Sequence, residues 1–141
     1  MTARRLVLVV VVAALLAAGA GSALALTGSS KSPSARTDYA GCLKKAGTTA
    51  AMQACISAEI NRLNGQLASA YKKLLGTANV DKAALAAAQT RWIAFRVADC
   101  KFAGTLNAGG SLQSIDVGTC TVDLTSARLA EIRVFQKQAK P

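Results

Sequence analysis

The stretch Met52–Gly76, MQACISAEINRLNGQLASAYKKLLG, decides the fold. Its apolar residues Met52, Ile56, Ile60, Leu63, Leu67, Ala70 and Leu74 recur at steps of 4, 4, 3, 4, 3 and 4, which lines one side of a helix for about six turns. Thr48 or Thr49 supplies a cap and Gly76 a stop. So long an amphipathic helix needs partners. Upstream, Tyr39–Ala46 with Cys42 and Leu43 forms a short helix closed by Gly47. Downstream, Asp81 opens a third helix with a carboxylate suited to its N-terminus, and Leu85, Ala88, Trp92, Phe95 and Phe102 share a stripe before Gly104. Gly104–Gly118, broken by Asn107, Gly109 and Gly110, reads as an irregular loop. A last helix runs from about Thr119 to Gln138 with Leu124, Leu129, Ile132 and Phe135 inward. Strand signals are weak throughout. The expectation is all-α: a small antiparallel helical bundle.

Composition narrows the chemistry. Among 141 residues there is no histidine, which excludes a Ser-His or Cys-His nucleophile pair and any His-ligated metal. Aromatic content is 4%, so the core has to be built from Leu, Ile, Val and Ala. The four cysteines stand at 42, 55, 100 and 120, none in a C-x-x-C spacing, and an even number suits two bridges in an oxidising compartment. Cys42 and Cys55 lie on consecutive helices joined by a tight turn, and Cys100 and Cys120 flank the long loop. Pairing 42 with 55 and 100 with 120 is the simplest of three connectivities. Each bridge closes a loop worth about 3 kcal/mol on the chain-entropy model, a large share of the roughly 5–15 kcal/mol that holds a small domain together.

The N-terminus reads as a leader. Arg4 and Arg5 precede an unbroken apolar run from Leu6 to Ala18, and Ala23-Leu24-Ala25 places small residues at a cleavage site. Residues 1–25 are therefore expected to be a signal peptide. The competing reading is an uncleaved anchor, since extending the run to Leu26 approaches the roughly 20 residues that span a bilayer. With no cysteine near residues 20–30, the chain is not a lipoprotein. Residues 26–37, LTGSSKSPSART, read as a disordered linker ahead of a folded domain over 38–138. The expected address is periplasmic or secreted.

Met52-x-x-Cys55, Leu67-x-x-x-Tyr71, Gln89-x-x-Trp92-x-x-x-Arg96-x-x-x-Cys100, and Cys120 followed by Leu124-Thr125-x-x-Arg128 together resemble the small secreted bacterial domains known as LprI-like lysozyme inhibitors. The resemblance spans about residues 39–135 and is most specific in the segment from Gln89 to Cys100. It implies an all-helical, disulfide-stapled exported domain that binds and blocks a lysozyme. The chain departs from the family pattern at Asn64, Ala68 and Val97, where the family has an acidic residue, an asparagine and an aspartate. Those departures bear on any polar network between the second and third helices.

Read without the family, Gln89, Trp92, Arg96 and Cys100 fall on one side of the third helix. Trp92 is expected to fill the centre of the bundle. Arg96, one turn on, then requires a carboxylate or helix-end carbonyls; Glu59, Asp99 and Asp123 are candidates, with Arg128 competing for them. The expected role is a buried ion pair that fixes helix register.

The net charge is +10, about +8 once Arg4 and Arg5 leave with the leader. Lys44, Lys45, Lys72, Lys73, Lys137 and Lys140 are spread over separate helices, which describes solvated faces and not a nucleic-acid groove. Familiar lysozymes are basic too, so inhibition needs a local acidic or loop contact. The candidate is the Gly104–Gly118 loop with Asn107, Ser111, Gln113 and Asp116. Seven scattered carboxylates mark no catalytic pair, and no cofactor or metal is implied. A non-catalytic envelope adaptor, binding a partner protein or anionic polymer through the basic faces, is the alternative function. The residue pattern leaves the oligomeric state open.

Overall fold

The computed structural model describes the backbone of residues 33–139 and the side chains of residues 38–139. The signal peptide and residues 26–32 of the linker read from the sequence lie outside the described residues; residues 33–37, also read as linker, instead form the start of the first helix, which begins at Pro33 and not near Tyr39. Four helices follow one another: α1 Pro33–Lys45, α2 Thr49–Leu75, α3 Lys82–Thr105 and α4 Gln113–Gln138. No strand occurs among the described residues, and the all-α bundle expected from the periodicity is the fold. None of the described helices is long and apolar enough to cross a membrane.

The helix ends follow from local chemistry. The Thr48 hydroxyl accepts the Ala51 N–H at 3.1 Å and the Asp81 carboxylate accepts the Ala84 N–H at 3.0 Å, each satisfying a donor that the first turn leaves free. Gly76 closes α2 by donating its N–H to the Lys72 carbonyl at 3.2 Å. Both disulfides form with the local pairing, Cys42–Cys55 tying α1 to α2 and Cys100–Cys120 tying α3 to α4, and no cysteine is left free.

Helix α4 is the centre of the arrangement. It packs along α2 and along α3, and α1 covers the start of α2. The core is Ile56, Leu63, Leu67 and Leu74 from α2, Leu85 from α3, and Val122, Leu129 and Ile132 from α4. The α2 stripe read from the sequence is thus the main wall of the core.

Two further expectations change. Helix α4 starts at Gln113 and not near Thr119, so the connection after α3 shrinks to residues 106–112. Glycine misled the reading here: Gly104 sits inside α3 and Gly118 inside α4, where they permit close approach and do not break the helices. A β-carbon on Gly104 would lie 2.5 Å from Val117 Cγ2, and one on Gly118 would lie 2.5 Å from Ile56 Cγ2. Among the described glycines, Gly109, at φ 75°, is the one that uses the conformational freedom of glycine to make the turn. The second change concerns apolar residues. Phe95 and Phe102 are 53% and 64% exposed and Phe135 is 37% exposed, while Leu124 is half-buried. Because α3 packs on α4 along a narrow arc, only Leu85, Cys100 and Gly104 become buried on it.

Tyr39 of α1 has a buried hydroxyl without a hydrogen-bond partner. Burial first, then the fields of Asp123 and Glu59, push its phenol above the usual value of 10.0. The neutral phenol is the form that fits the folded state, so its contribution is complete below pH 10 and is lost as pH rises through the raised folded value.

Two outcomes follow from this packing. Gly118→Ala should lower the unfolding free energy by about 1–3 kcal/mol, and a double-mutant cycle with Ile56→Ala should show coupling, because the smaller side chain clears the clash. Tyr39→Phe should unfold in denaturant no earlier than the parent at pH 7 and should lose less stability than the parent between pH 9 and 11.

Candidate functional site

The residues singled out by the sequence form two groups in space. The first is a polar seam along α3 and α4, built by Gln89, Trp92 and Arg96 from one helix and Thr125 and Arg128 from the other. Trp92 is not at the centre of the bundle. It is half-buried at the edge of the core, and two guanidinium groups lie over its ring, Arg96 at 4.8 Å and Arg128 at 5.8 Å from the ring centre. With core positions filled by aliphatic residues, the indole closes the seam and supplies a π-face for both cations.

Arg96 makes no buried ion pair. Its Nη1 donates to Thr125 Oγ1 at 2.9 Å and to Asn64 Oδ1 at 3.4 Å. Thr125 is fully buried, and its hydroxyl in turn donates to the Thr121 carbonyl at 2.6 Å. Of the carboxylates expected to receive Arg96, Glu59 is taken by Arg62, through Nε–Oε2 at 2.7 Å and Nη2–Oε1 at 2.6 Å, and Asp99 and Asp123 are exposed. The neutral Asn64 does not supply the charge that an acid there would bring, and the link between α2 and α3 is correspondingly a hydrogen bond and not a salt bridge.

Arg128 is the buried cation of the seam, 7% exposed. Its Nε donates to Gln89 Oε1 at 3.1 Å and its Nη1 to Glu131 Oε2 at 2.6 Å, while Nη2 is buried without a partner. Tyr71 packs half-buried against the α2 side of the core. The Glu59–Arg62 and Arg128–Glu131 pairs are not among the sequence expectations. The i, i+3 spacing of Glu59 with Arg62 and of Arg128 with Glu131 is the signal that could have found the two ion pairs.

The second group surrounds the α3–α4 turn. Asn107 and Ser111 lie in the connection 106–112, whereas Gln113 and Asp116 belong to the first turn of α4. Asn107 Nδ2 donates to Asp116 Oδ2 at 2.6 Å, and the Gly109 N–H donates to Gln113 Oε1 at 3.0 Å, so side chains pin the turn to the helix that follows. Ser111 is exposed. Asp123, two turns further along α4, lines the same shallow depression as Asn107 and Asp116, directly over the Cys100–Cys120 bridge. Among the described residues no group of three or more Cys, Asp or Glu is placed to hold a metal ion.

These features define a small all-α domain, cross-linked by two local disulfides, with a polar seam inside and a braced acidic turn at one end. Residues 42–132, well over half of the chain, match the family described as lysozyme inhibitor LprI, and the chain belongs to that family. It is also 37% identical over 57 residues to an uncharacterized protein of Rhizobium meliloti (strain 1021), a match that covers 40% of this chain and 41% of that one. The chain thus spans about two fifths of that relative's length. No solved structure gives a significant match.

Arg128→Lys should destabilise the fold by about 1–3 kcal/mol in chemical denaturation, since an ammonium cannot bond Gln89 and Glu131 in the planar geometry of the guanidinium and lie over Trp92 as well.

Proposed function

We propose that the protein is exported, with its leader cleaved near Ala25, and that it binds and blocks a lysozyme by surface contact without catalysing a reaction. The observation that carries this reading is the family match over residues 42–132, which takes in all four cysteines and the whole Gln89–Arg128 seam. Export agrees with the two disulfides, which persist in oxidising compartments.

The contact surface we assign is the α3–α4 turn. A basic chain approaching a basic enzyme gains from a place where its own charge is reversed, and Asp116 and Asp123 provide it beside Asn107. The Cys100–Cys120 bridge and the two side-chain hydrogen bonds hold this end in one shape before any partner arrives, which lowers the ordering cost of association. Ser111 and Gln113 flank the acidic pair and complete the contact with polar groups.

A second reading has its own support. Arg62, Lys73 and Arg133 line one open depression between α2 and α4 together with Gln66 and Ser69, a surface suited to an anionic envelope polymer and to the adaptor role.

The purified protein should protect cell walls from lysis by at least one lysozyme type in a dose-dependent manner. Asp116→Asn with Asp123→Asn should weaken that protection about tenfold while the helical circular dichroism stays unchanged. Absence of protection against every lysozyme type tested, with salt-sensitive binding to an anionic polymer that is lost on Arg62→Gln and Arg133→Gln, would replace the inhibitor reading by the adaptor.

A further inference from the structure

One flank of α3, continued by Leu106 just past its end, carries a line of exposed residues outside the core. It runs Ala84, Ala88, Arg91, Phe95, Asp99, Phe102, Leu106, in steps of 4, 3, 4, 4, 3 and 4. At 100° per residue the line drifts by only about 40° over its length, so it follows the helix axis for about 33 Å. All of these residues are exposed, Phe95, Phe102 and Leu106 by 53%, 64% and 72%. A chain with three phenylalanines and one tryptophan places two of the phenylalanines on this line, outside its own core.

The order of steps is the same read from either end, and Phe95 is its midpoint. An antiparallel copy of α3 related by a two-fold axis at Phe95 therefore sets each position against a defined counterpart. Phe95 meets Phe95. Arg91 meets Asp99. Ala88 meets Phe102, and Ala84 meets Leu106. Every large apolar group off the axis faces an alanine, and both charges face their opposites. This is the self-complementarity that an isologous two-fold interface requires. Within one chain Arg91 and Asp99 have no ion-pair partner among the described residues. The line is also electrically neutral in a strongly basic molecule, so it is where two copies meet with least repulsion.

We propose that this flank of α3 is the contact between two copies of the chain, joined antiparallel about a two-fold axis through Phe95. Small residues facing large ones let the helices approach at the usual 8–10 Å. The proposal does not rest on lysozyme binding: the line touches the acidic turn only at its last residue, Leu106, which belongs to the connection and lines the depression beside Asp116 and Asp123.

Sedimentation of the purified, oxidised protein over a range of concentrations tests it. The expected result is a reversible monomer–dimer equilibrium. Arg91→Asp and Asp99→Arg should each raise the dissociation constant at least tenfold, and the double variant should return to within about threefold of the parent, since the reversed pair again faces opposite charge. Phe95→Asp should be monomeric with unchanged helicity. A parent that stays monomeric at millimolar concentration overturns the proposal, as does a dimer whose affinity ignores the charge reversals. Loss of lysozyme protection or of vesicle binding on Phe95→Asp, in a parent that remains monomeric, would overturn it in favour of a lysozyme or a lipid surface as the occupant.

Discussion

Helix α3 is held to the molecule through α4, and that single dependence shapes much of the structure. α4 packs on both long helices, while α3 has no comparable contact with α2. A helix attached along one narrow arc buries few side chains, and three residues of α3 are buried, Leu85, Cys100 and Gly104. Hydrophobic burial alone is a weak fastening for such an element. The chain concentrates other fastenings on the α3–α4 seam: the Cys100–Cys120 bridge, the close approach of Val117 at Gly104, the Arg96–Thr125 hydrogen bond and the Arg128–Gln89 hydrogen bond. They are spaced along the seam, so together they fix register as well as distance.

The seam also explains why two cations are tolerated beside a tryptophan. An isolated buried guanidinium is costly, and the attraction of a partly exposed carboxylate such as Glu131 is weakened by solvent. Arg128 is compensated by several moderate interactions at once, the Gln89 amide, the Glu131 carboxylate and the indole face. Arg96 follows the same pattern with neutral oxygens. Planar, delocalised guanidinium groups suit this arrangement better than ammonium groups would. The seam residues are thus accounted for by the packing of α3 on α4.

The parts of the fold that could be read in the sequence are those where one residue type has one dominant physical use. The α2 stripe, the Thr48 and Asp81 caps and the local cysteine pairing are of this kind. The misreadings fall on residues with two uses. Glycine breaks helices and also lets them touch; Gly104 and Gly118 suggest the first use in the sequence and serve the second in the fold. Phenylalanine fills cores and also makes interfaces, and periodicity alone does not say which flank of α3 meets α4. Arg96 is expected to need a carboxylate or helix-end carbonyls, whereas a hydroxyl and an amide oxygen with an aromatic face meet its needs. Of the candidate contact residues, Asn107 and Asp116 do come together, but through a compact turn capped by α4 instead of a long loop.

The size of the connection matters for how a domain of this kind engages a partner. A fifteen-residue loop could enter a cleft and would lose much of its freedom on doing so. A seven-residue turn over a disulfide, with its side chains already bonded to one another, has little freedom to lose and little reach. Such an end is suited to pressing against the rim of a cleft as a rigid, locally acidic knob. On the proposed function, basic faces elsewhere on the molecule would oppose wrong orientations of a basic partner, and the acidic turn would be the approach that long-range charge disfavours least. Selectivity in this arrangement comes from the distribution of charge over the bundle as much as from the contact residues themselves.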